Sequence, residues 1–218
     1  STCPGKTKSC SKACYATKGF YRMKSVKTYL RRSKAASRRQ AFVQAVRSEM
    51  REIMPSAVRW HTSGDFYDAE YARKFLQLAR AEPRTTFLVY TRSWNQPEIA
   101  EVLKECALEK NCMLWLSCDT EMGSPVRWKG VAGIAFMALS DADQPTFPVD
   151  LVFFVNKPSK QTRFFGKTLV CPFEQNGPKS KEFTCSTCRY CLSRQPRGRW
   201  KHKAQEQKAT RRVALAVV

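Results

Sequence analysis

The sequence is poor in acidic residues and has no long apolar run, and each absence excludes a class of protein. Aspartate and glutamate number 18 against 39 lysines and arginines, so the formal net charge is +21 and the isoelectric point is near 9.9. Most soluble enzymes lie much closer to neutrality, and this balance favours a polyanionic partner. We expect a nucleic acid rather than a membrane surface, because no stretch has the length or amphipathicity that a membrane requires. Of the two nucleic acids we favour DNA over RNA.

No stretch resembles a signal peptide, and seven of the ten cysteines fall in two groups at spacings typical of metal ligands. Both features favour a reducing compartment over an oxidising one, so we predict a cytoplasmic protein with metal-bound thiolates in place of disulfides. A chain of 218 residues suits one domain with a small appendage. We assign residues 1–170 to the core, 171–193 to a cysteine-rich metal module and 194–218 to a basic tail.

The first cysteine group is Cys3, Cys10 and Cys14, spaced C-x6-C-x3-C in a basic loop. Three thiolates can hold an iron–sulfur cluster that leaves one iron open to a small ligand, whereas a closed structural site needs a fourth ligand. The candidates for that ligand are Cys106, Cys112, Cys118 and His61. We favour Cys118 as an additional metal ligand, because it ends a predicted strand, whereas the other two cysteines fit buried apolar positions.

The second cysteine group is Cys171, Cys185, Cys188 and Cys191, spaced C-x13-C-x2-C-x2-C. Four thiolates within about twenty residues can hold a closed tetrahedral zinc ion or a [4Fe–4S] cluster. The compact run of three cysteines resembles bacterial ferredoxins, whereas zinc ribbons keep two CxxC pairs far apart. We therefore favour the iron–sulfur cluster, with zinc as the alternative.

Strand and helix patterns alternate between the two cysteine groups. We predict helices over residues 37–54, 69–81 and 96–110, with Ser37 and Asp68 as N-caps, and strands over 57–61, 85–90, 113–116, 131–139, 151–155 and 168–170. Short connections between such elements predict an α/β fold with a mostly parallel sheet. Because the later connections are too short for full helices, we expect a partial, irregular (β/α) barrel.

Polar side chains follow three of the predicted strands directly, at His61 to Asp65, Thr91 to Ser93 and Cys118 to Asp119. The carboxyl ends of parallel strands meet at one edge of a sheet, where α/β proteins place their reactive groups. His61, Asp65 and Asp119 are therefore our candidate catalytic residues, although His61 and Asp65 also suit purely structural hydrogen bonds. With Asp68 they could alternatively bind the divalent ion of a nuclease. Tyr67, Tyr71 and Tyr90 are weaker candidates as strand-nicking nucleophiles.

Two segments carry the features of a nucleic-acid contact. Residues 18–32 interleave basic and aromatic side chains, which suits phosphate contacts combined with base stacking, although a solvated surface loop fits the same pattern. Residues 194–212 are strongly basic with little apolar periodicity, and we expect them to form a tail that is mobile or ordered by nucleic acid.

Four motifs together resemble the phage and plasmid "gene product 88" family: the opening CPG…C…CYA, the segment HTSGDF at 61–66, YTRS at 90–93, and the C-terminal CP…C-x2-C-x2-C group. The family layout is similar to that of radical S-adenosylmethionine (SAM) enzymes, which carry three cysteines near the start of a partial (β/α)6 barrel. This resemblance implies a cluster on the first three cysteines with SAM on its open iron. It also implies that SAM contacts Ser63, Gly64, Asp65, Arg92 and Ser93.

The sequence thus predicts a cluster-dependent enzyme that acts on nucleic acid. Two alternatives remain open at this point. One is a DNA-binding protein, such as a replication initiator, with purely structural metal sites. The other is a divalent-metal-dependent nuclease.

Overall fold

The computed structural model describes residues 2–125, 128, 130–155, 164–165, 168–172, 185–193 and 213–214. Its strands are β1 Ala57–Trp60, β2 Thr86–Thr91, β3 Cys112–Cys118, β4 Gly133–Ala138, β5 Leu151–Phe154, β6 Phe164–Phe165, β7 Thr168–Val170 and β8 Val213–Ala214. Its α-helices are α1 Lys8–Ala13, α2 Lys24–Ser37, α3 Phe42–Ile53, α4 Ala69–Ala81, α5 Pro97–Leu108 and α6 Cys185–Cys188. Short 3-10 turns cover Tyr15–Thr17, Gly19–Arg22, Ser93–Asn95 and Tyr190–Leu192.

The strands form one open sheet in the order β6-β7-β5-β4-β3-β2-β1-β8. All neighbouring strands pair in parallel except β6, which is antiparallel to β7. The α/β class and the mostly parallel sheet are therefore as predicted. Within the described residues the sheet does not close, since the terminal strands β6 and β8 do not pair with each other.

The strand order explains why the two faces of the sheet differ. From β1 to β5 each strand lies beside its predecessor, always in the same direction, so right-handed crossovers place the intervening helices on one face. The large core cluster on that face contains apolar residues of α3, α4 and α5. The smaller cluster on the other face is covered by the segment Tyr190–Leu192. We call these the helix face and the inner face.

Most predicted elements lie where the local pattern placed them. Asp68 is the N-cap of α4, where its Oδ1 accepts a hydrogen bond of 2.8 Å from the Tyr71 amide. Helix α3 ends at Met54, whose φ of 49° is left-handed, directly before Pro55. Within the described residues, none of the helices combines the length and apolar character that crossing a bilayer requires.

The helix predicted over residues 37–54 is α3, Phe42–Ile53, so its end was predicted correctly and its start was wrong. Ser37 is the last residue of the preceding helix α2 rather than an N-cap. The cause is a tertiary contact: the Lys74 ammonium on α4 donates to the carbonyl oxygens of Ser37, Arg38 and Arg39 at distances of 3.1 to 3.2 Å. The Arg39 carbonyl also accepts from the Phe42 amide at 3.2 Å. Carbonyls at a helix end have no partner within the helix, so a lysine distant in sequence stabilises the break.

Candidate functional site

Asp65 lies at the carboxyl end of β1 and is held by three donors. Its Oδ1 accepts from the Thr91 hydroxyl at 2.6 Å and from the Phe66 amide at 2.7 Å, and its Oδ2 accepts from the Arg92 amide at 2.7 Å. Burial raises the pKa of Asp65 to about 6, and the hydrogen bonds to the carboxylate oppose that shift. Asp65 therefore joins the end of β1 to the end of β2.

Asp119 joins the end of β3 to the end of β2 in the same way. Its Oδ2 accepts from Arg92 Nη1 at 2.7 Å and from the Thr7 hydroxyl at 2.6 Å, and its Oδ1 accepts from the Met122 amide at 2.9 Å. Both partners of the Arg92–Asp119 ion pair are almost fully buried. The three strand ends predicted to carry the site therefore form one hydrogen-bonded network.

The loop of residues 2–15 is attached to this network at three points. The Asp65 amide donates to the Thr2 carbonyl at 2.9 Å, and the Thr7 hydroxyl donates to Asp119. Gly5 is packed so tightly that an added Cβ would lie 2.1 Å from the Arg92 carbonyl oxygen, so no larger residue fits there. The first cysteine group is thus bound across the carboxyl ends of β1, β2 and β3.

Helix α1, which carries Cys10, is oriented by two side chains. Thr7 is its N-cap, and the Thr7 hydroxyl accepts from the Cys10 amide at 3.0 Å while donating to Asp119. The Glu121 carboxylate accepts from the amides of Lys8 and Ser9 at 2.9 and 3.0 Å. The roles of Thr7, Gly5 and Glu121 were not predicted from the sequence. A threonine directly before a helix is a recognisable cap residue, whereas the other two contacts are tertiary.

The thiols of Cys3, Cys10 and Cys14 are electrostatic neighbours. The pKa of Cys3 is raised to about 11, mostly by burial, with smaller contributions from Asp65 and the other two thiols. Burial also raises the pKa of Cys10, although the nearby Arg92 guanidinium lowers it. Among the described residues, no three His, Cys, Asp or Glu side chains converge closely enough to hold a metal ion. The three thiols therefore lie in one loop and interact electrostatically, but in the described structure they do not converge on one metal position.

The other three candidates for a fourth thiol ligand lie in the core. Cys118 is fully buried with the residues of the helix face, and its Sγ donates to the Ala135 carbonyl at 3.5 Å. Cys106 and Cys112 belong to the same cluster, as their apolar context predicted. The groups that shift the pKa of Cys118, after burial itself, are Arg92 and Asp119 rather than the loop thiols.

The four cysteines of the second group line one cavity of about 110 Å³ on the inner face. Leu88, Tyr90, Leu151 and Phe153 form its strand side, and residues 189–192 form its cover. Burial raises the pKa of Cys191 to about 12, and the three other thiols of the group add to that shift. Residues 173–184 lie outside the described part of the chain.

Arg59 also lines this cavity, although no pattern in the sequence pointed to it. Its guanidinium lies 5.6 Å from the centroid of the Tyr90 ring, and its buried Nε has no hydrogen-bond partner among the described residues. Arg59 opposes the rise in the pKa of Tyr90 that burial causes, whereas burial keeps the pKa values of Cys188 and Cys191 raised.

The loop that follows β1 also lines a separate cavity, of about 100 Å³, with Ser63, Gly64 and Asp65 on one side and α2 on the other. His61 has a left-handed φ of 64°, and its ring points into the fold, where Nε2 lies 3.2 Å from the Tyr71 hydroxyl. Its buried Nδ1 has no partner among the described residues. Burial lowers the pKa of His61 to about 3, so the ring is neutral at physiological pH.

The remaining predicted residues serve structural contacts in the described structure. The Ser93 hydroxyl donates to the Phe66 carbonyl at 2.8 Å. The carboxylates of Asp65, Asp68 and Asp119 accept from Thr91, Tyr71 and Arg92, respectively. In the described structure they do not converge on one position, as the ligands of a divalent ion would. Tyr71 is buried and Tyr90 is partly buried, each against an aromatic neighbour, which does not suit a nucleophile that must reach a DNA strand.

Comparison with known proteins identifies the family. The family model described as Gene product 88 matches residues 1–146 of the 218-residue chain. The chain belongs to the Gene product 88 family. The match covers the first cysteine group and all three strand ends of the network, so these parts of the site lie within the family's shared region. No curated protein and no solved structure matches this Gene product 88 protein significantly.

Proposed function

We propose that this Gene product 88 protein is an iron–sulfur enzyme that acts on nucleic acid, with its reaction centre where the loop 2–15 crosses the carboxyl ends of β1 to β3. The observation that carries the proposal is the attachment of a three-cysteine loop to a buried network of Asp65, Arg92 and Asp119. A purely structural loop has no need of so many buried charged contacts, since such groups are costly to bury.

The donor set fits a cluster better than a closed zinc site. Three thiols are neighbours in the loop, whereas Cys106, Cys112 and Cys118 belong to the core cluster of the helix face. A [4Fe–4S] cluster is held by thiolates, and three of them leave one iron available to a small molecule. We assign Cys3, Cys10 and Cys14 to that cluster, and the four cysteines that line the inner-face cavity to a second, fully ligated one.

The finer form of the proposal is chemistry like that of radical SAM enzymes. Two features support it: the sequential parallel strand order, and Gly64 at φ 79° beside the Thr2 side chain. SAM bound to such a cluster supplies one-electron chemistry to a substrate. In this protein Gly64 allows the loop after β1 to approach the cysteine loop, and Asp65 and Arg92 keep both loops in register. The cysteine spacing differs from the C-x3-C-x2-C of those enzymes, so SAM binding needs its own test.

The nucleic-acid part of the proposal is supported by charge. A net charge of +21 creates a strong positive field, and the described acidic residues of the site are already neutralised or hydrogen-bonded within the protein. Cationic groups outside the network therefore remain available to phosphates. DNA is the partner we propose.

Metal and sulfide analysis of protein purified without oxygen tests the cluster proposal. We expect about eight iron atoms per chain, falling to about four in Cys14→Ala and in Cys188→Ala. Cys106→Ala removes a thiol of the helix-face core and is the matched control, which should keep all of its iron. Zinc in place of iron would overturn the proposal and favour a DNA-binding protein with structural metal sites. About four irons that are lost only with Cys188→Ala would remove the loop as a cluster site.

Calorimetric titration with SAM tests the finer proposal. We expect binding to the iron-loaded protein and no binding to the Cys14→Ala variant. An iron-loaded protein that does not bind SAM would leave the cluster assignment intact and exclude the radical SAM chemistry.

A further inference from the structure

The amino-terminal part of the chain is more basic than the composition as a whole indicates. Residues 1–48 contain 13 lysines and arginines and no acidic residue, and Glu49 is the first carboxylate in the sequence. In the described structure, no ion pair includes any of the 12 lysines and arginines that precede Arg47. Carboxylates in the described part of the chain therefore do not compensate these charges at contact distance.

Five of these charges are exposed on two consecutive elements, helix α2 and the turn before it. Lys24, Lys27 and Arg31 are exposed and follow the i, i+3, i+7 spacing that places side chains on one face of α2. Lys18 and Arg22 are exposed on the turn that leads into the helix. We call these five residues, together with Phe20, the basic–aromatic platform. Cations in such a row can follow the phosphates of a nucleic-acid backbone.

Phe20 is the second observation, because it is an exposed apolar ring that packs against a neighbouring ring. Its side chain is 63% exposed, yet the ring stacks on Tyr21 with centroids 4.5 Å apart and planes inclined by 26°. Gly19 precedes it at φ 53°, a conformation that a glycine adopts at little cost and that turns the chain outward. One face of a fixed ring thus remains available for stacking.

The platform is anchored directly to the proposed reaction centre. The Tyr21 hydroxyl donates to the Thr62 carbonyl at 3.2 Å, and the Tyr15 hydroxyl donates to the same oxygen. Thr62 lies in the loop after β1, three residues before Asp65, and Tyr15 follows Cys14 directly. A strand bound on the platform would therefore be led to the carboxyl ends of the sheet.

We infer that the basic–aromatic platform binds an unpaired nucleic-acid strand, with a base stacked on Phe20 and the backbone on the lysines and arginines beside it. This inference rests on the proposed function and specifies its substrate as single-stranded. In a duplex the faces of the bases are covered by their neighbours, so an exposed ring gains nothing from stacking. A platform of cations alone would not distinguish the two forms, because their phosphates carry the same charge.

Fluorescence anisotropy with the full-length protein tests the inference, using a DNA strand of about 16 nucleotides and the duplex of the same sequence. We expect tighter binding of the single strand. Phe20→Ala should raise its Kd by at least roughly fivefold, since loss of one stacked base costs roughly 5- to 150-fold, and should leave the duplex Kd unchanged. Phe20→Trp should retain single-strand binding because it keeps an aromatic face.

Leu108→Ala is the matched control, since Leu108 is also an exposed apolar residue, 74% accessible, but lies at the end of α5. It should change neither Kd. A wild-type preference for the duplex, or an unchanged single-strand Kd in Phe20→Ala, would overturn the platform and leave a nucleic-acid enzyme that uses another surface. Absence of binding to both probes would overturn the nucleic-acid part of the proposed function as well. Strand binding by protein that contains no iron would overturn only the cluster assignment.

Discussion

Arg92 Nη1 lies 2.7 Å from Asp119 Oδ2, and this buried ion pair joins the end of β2 to the end of β3. Removing one partner of such a pair leaves an uncompensated charge in the interior, which costs about 3–5 kcal/mol. We expect Asp119→Asn to lower the free energy of unfolding by about that amount, as measured by urea denaturation. Glu101→Gln is the control, because the Lys104–Glu101 pair has side chains that are 54% and 71% exposed. It should change stability by less than about 0.5 kcal/mol, and equal losses in both variants would contradict the assignment.

Gly5 determines how closely the cysteine loop approaches the sheet. In Gly5→Ala the new methyl group would lie 2.1 Å from the Arg92 carbonyl oxygen, so the loop must shift away from β2. We expect a loss of about 1–3 kcal/mol in stability and faster alkylation of Cys3 and Cys10 in metal-free protein, followed by mass spectrometry. Pro4→Ala alters the exposed neighbouring residue and should change neither quantity. Alkylation at the wild-type rate in Gly5→Ala would show that the loop is not held there.

The buried His61 side chain should make the folded protein less stable in acid. Its pKa is about 3 in the folded protein, below the ordinary value of 6.5, so the unfolded chain takes up the proton first. The stabilisation is complete above about pH 6.5 and decreases as the pH falls toward 3, by roughly 2 kcal/mol between about pH 6.5 and about pH 5. Unfolding free energies across this range should therefore fall less steeply in His61→Phe than in the wild type.

The second histidine in the sequence provides the comparison for this experiment. His202→Phe should keep the wild-type dependence on pH, since it leaves His61 in place. If His61→Phe showed the same slope as the wild type, another group would be responsible for the acid sensitivity.

Lys74 should control the end of α2 and, through it, the support of the platform. Its ammonium group binds three backbone carbonyls and lies 2.9 Å from Glu70. We expect Lys74→Met to cost about 1–3 kcal/mol and to accelerate hydrogen exchange of the amides from Lys34 to Phe42, because those carbonyls lose a charged donor. Lys104→Met removes an exposed lysine of α5 and should leave exchange in that region unchanged. Unaltered exchange in Lys74→Met would exclude this role.

Much of the fold follows from local patterns. The alternation of apolar runs and the Asp68 cap predict α4, α5, β1 to β5 and β7 within about two residues of their positions, and the Pro55 stop predicts the end of α3, because caps and breakers act on adjacent backbone groups. The accumulation of polar groups after β1, β2 and β3 is equally readable, since parallel strands must end at a common edge. The end of helix α2 could not be predicted in this way, because it depends on Lys74, a residue of another helix.

The sequence by itself determined the α/β class, the three strand ends that meet, and the two cysteine groups. Only the tertiary structure decided which side chains face one another. Strand β3 is buried on both faces, so its apolar run carries no signal of orientation, and the structure alone shows that Cys118 points to the helix face while Trp115 points to the inner face. For the same reason the contacts of Gly5 with Arg92 and of Thr7 with Asp119 are invisible in the sequence: they join residues that come together only when the loop packs on the sheet.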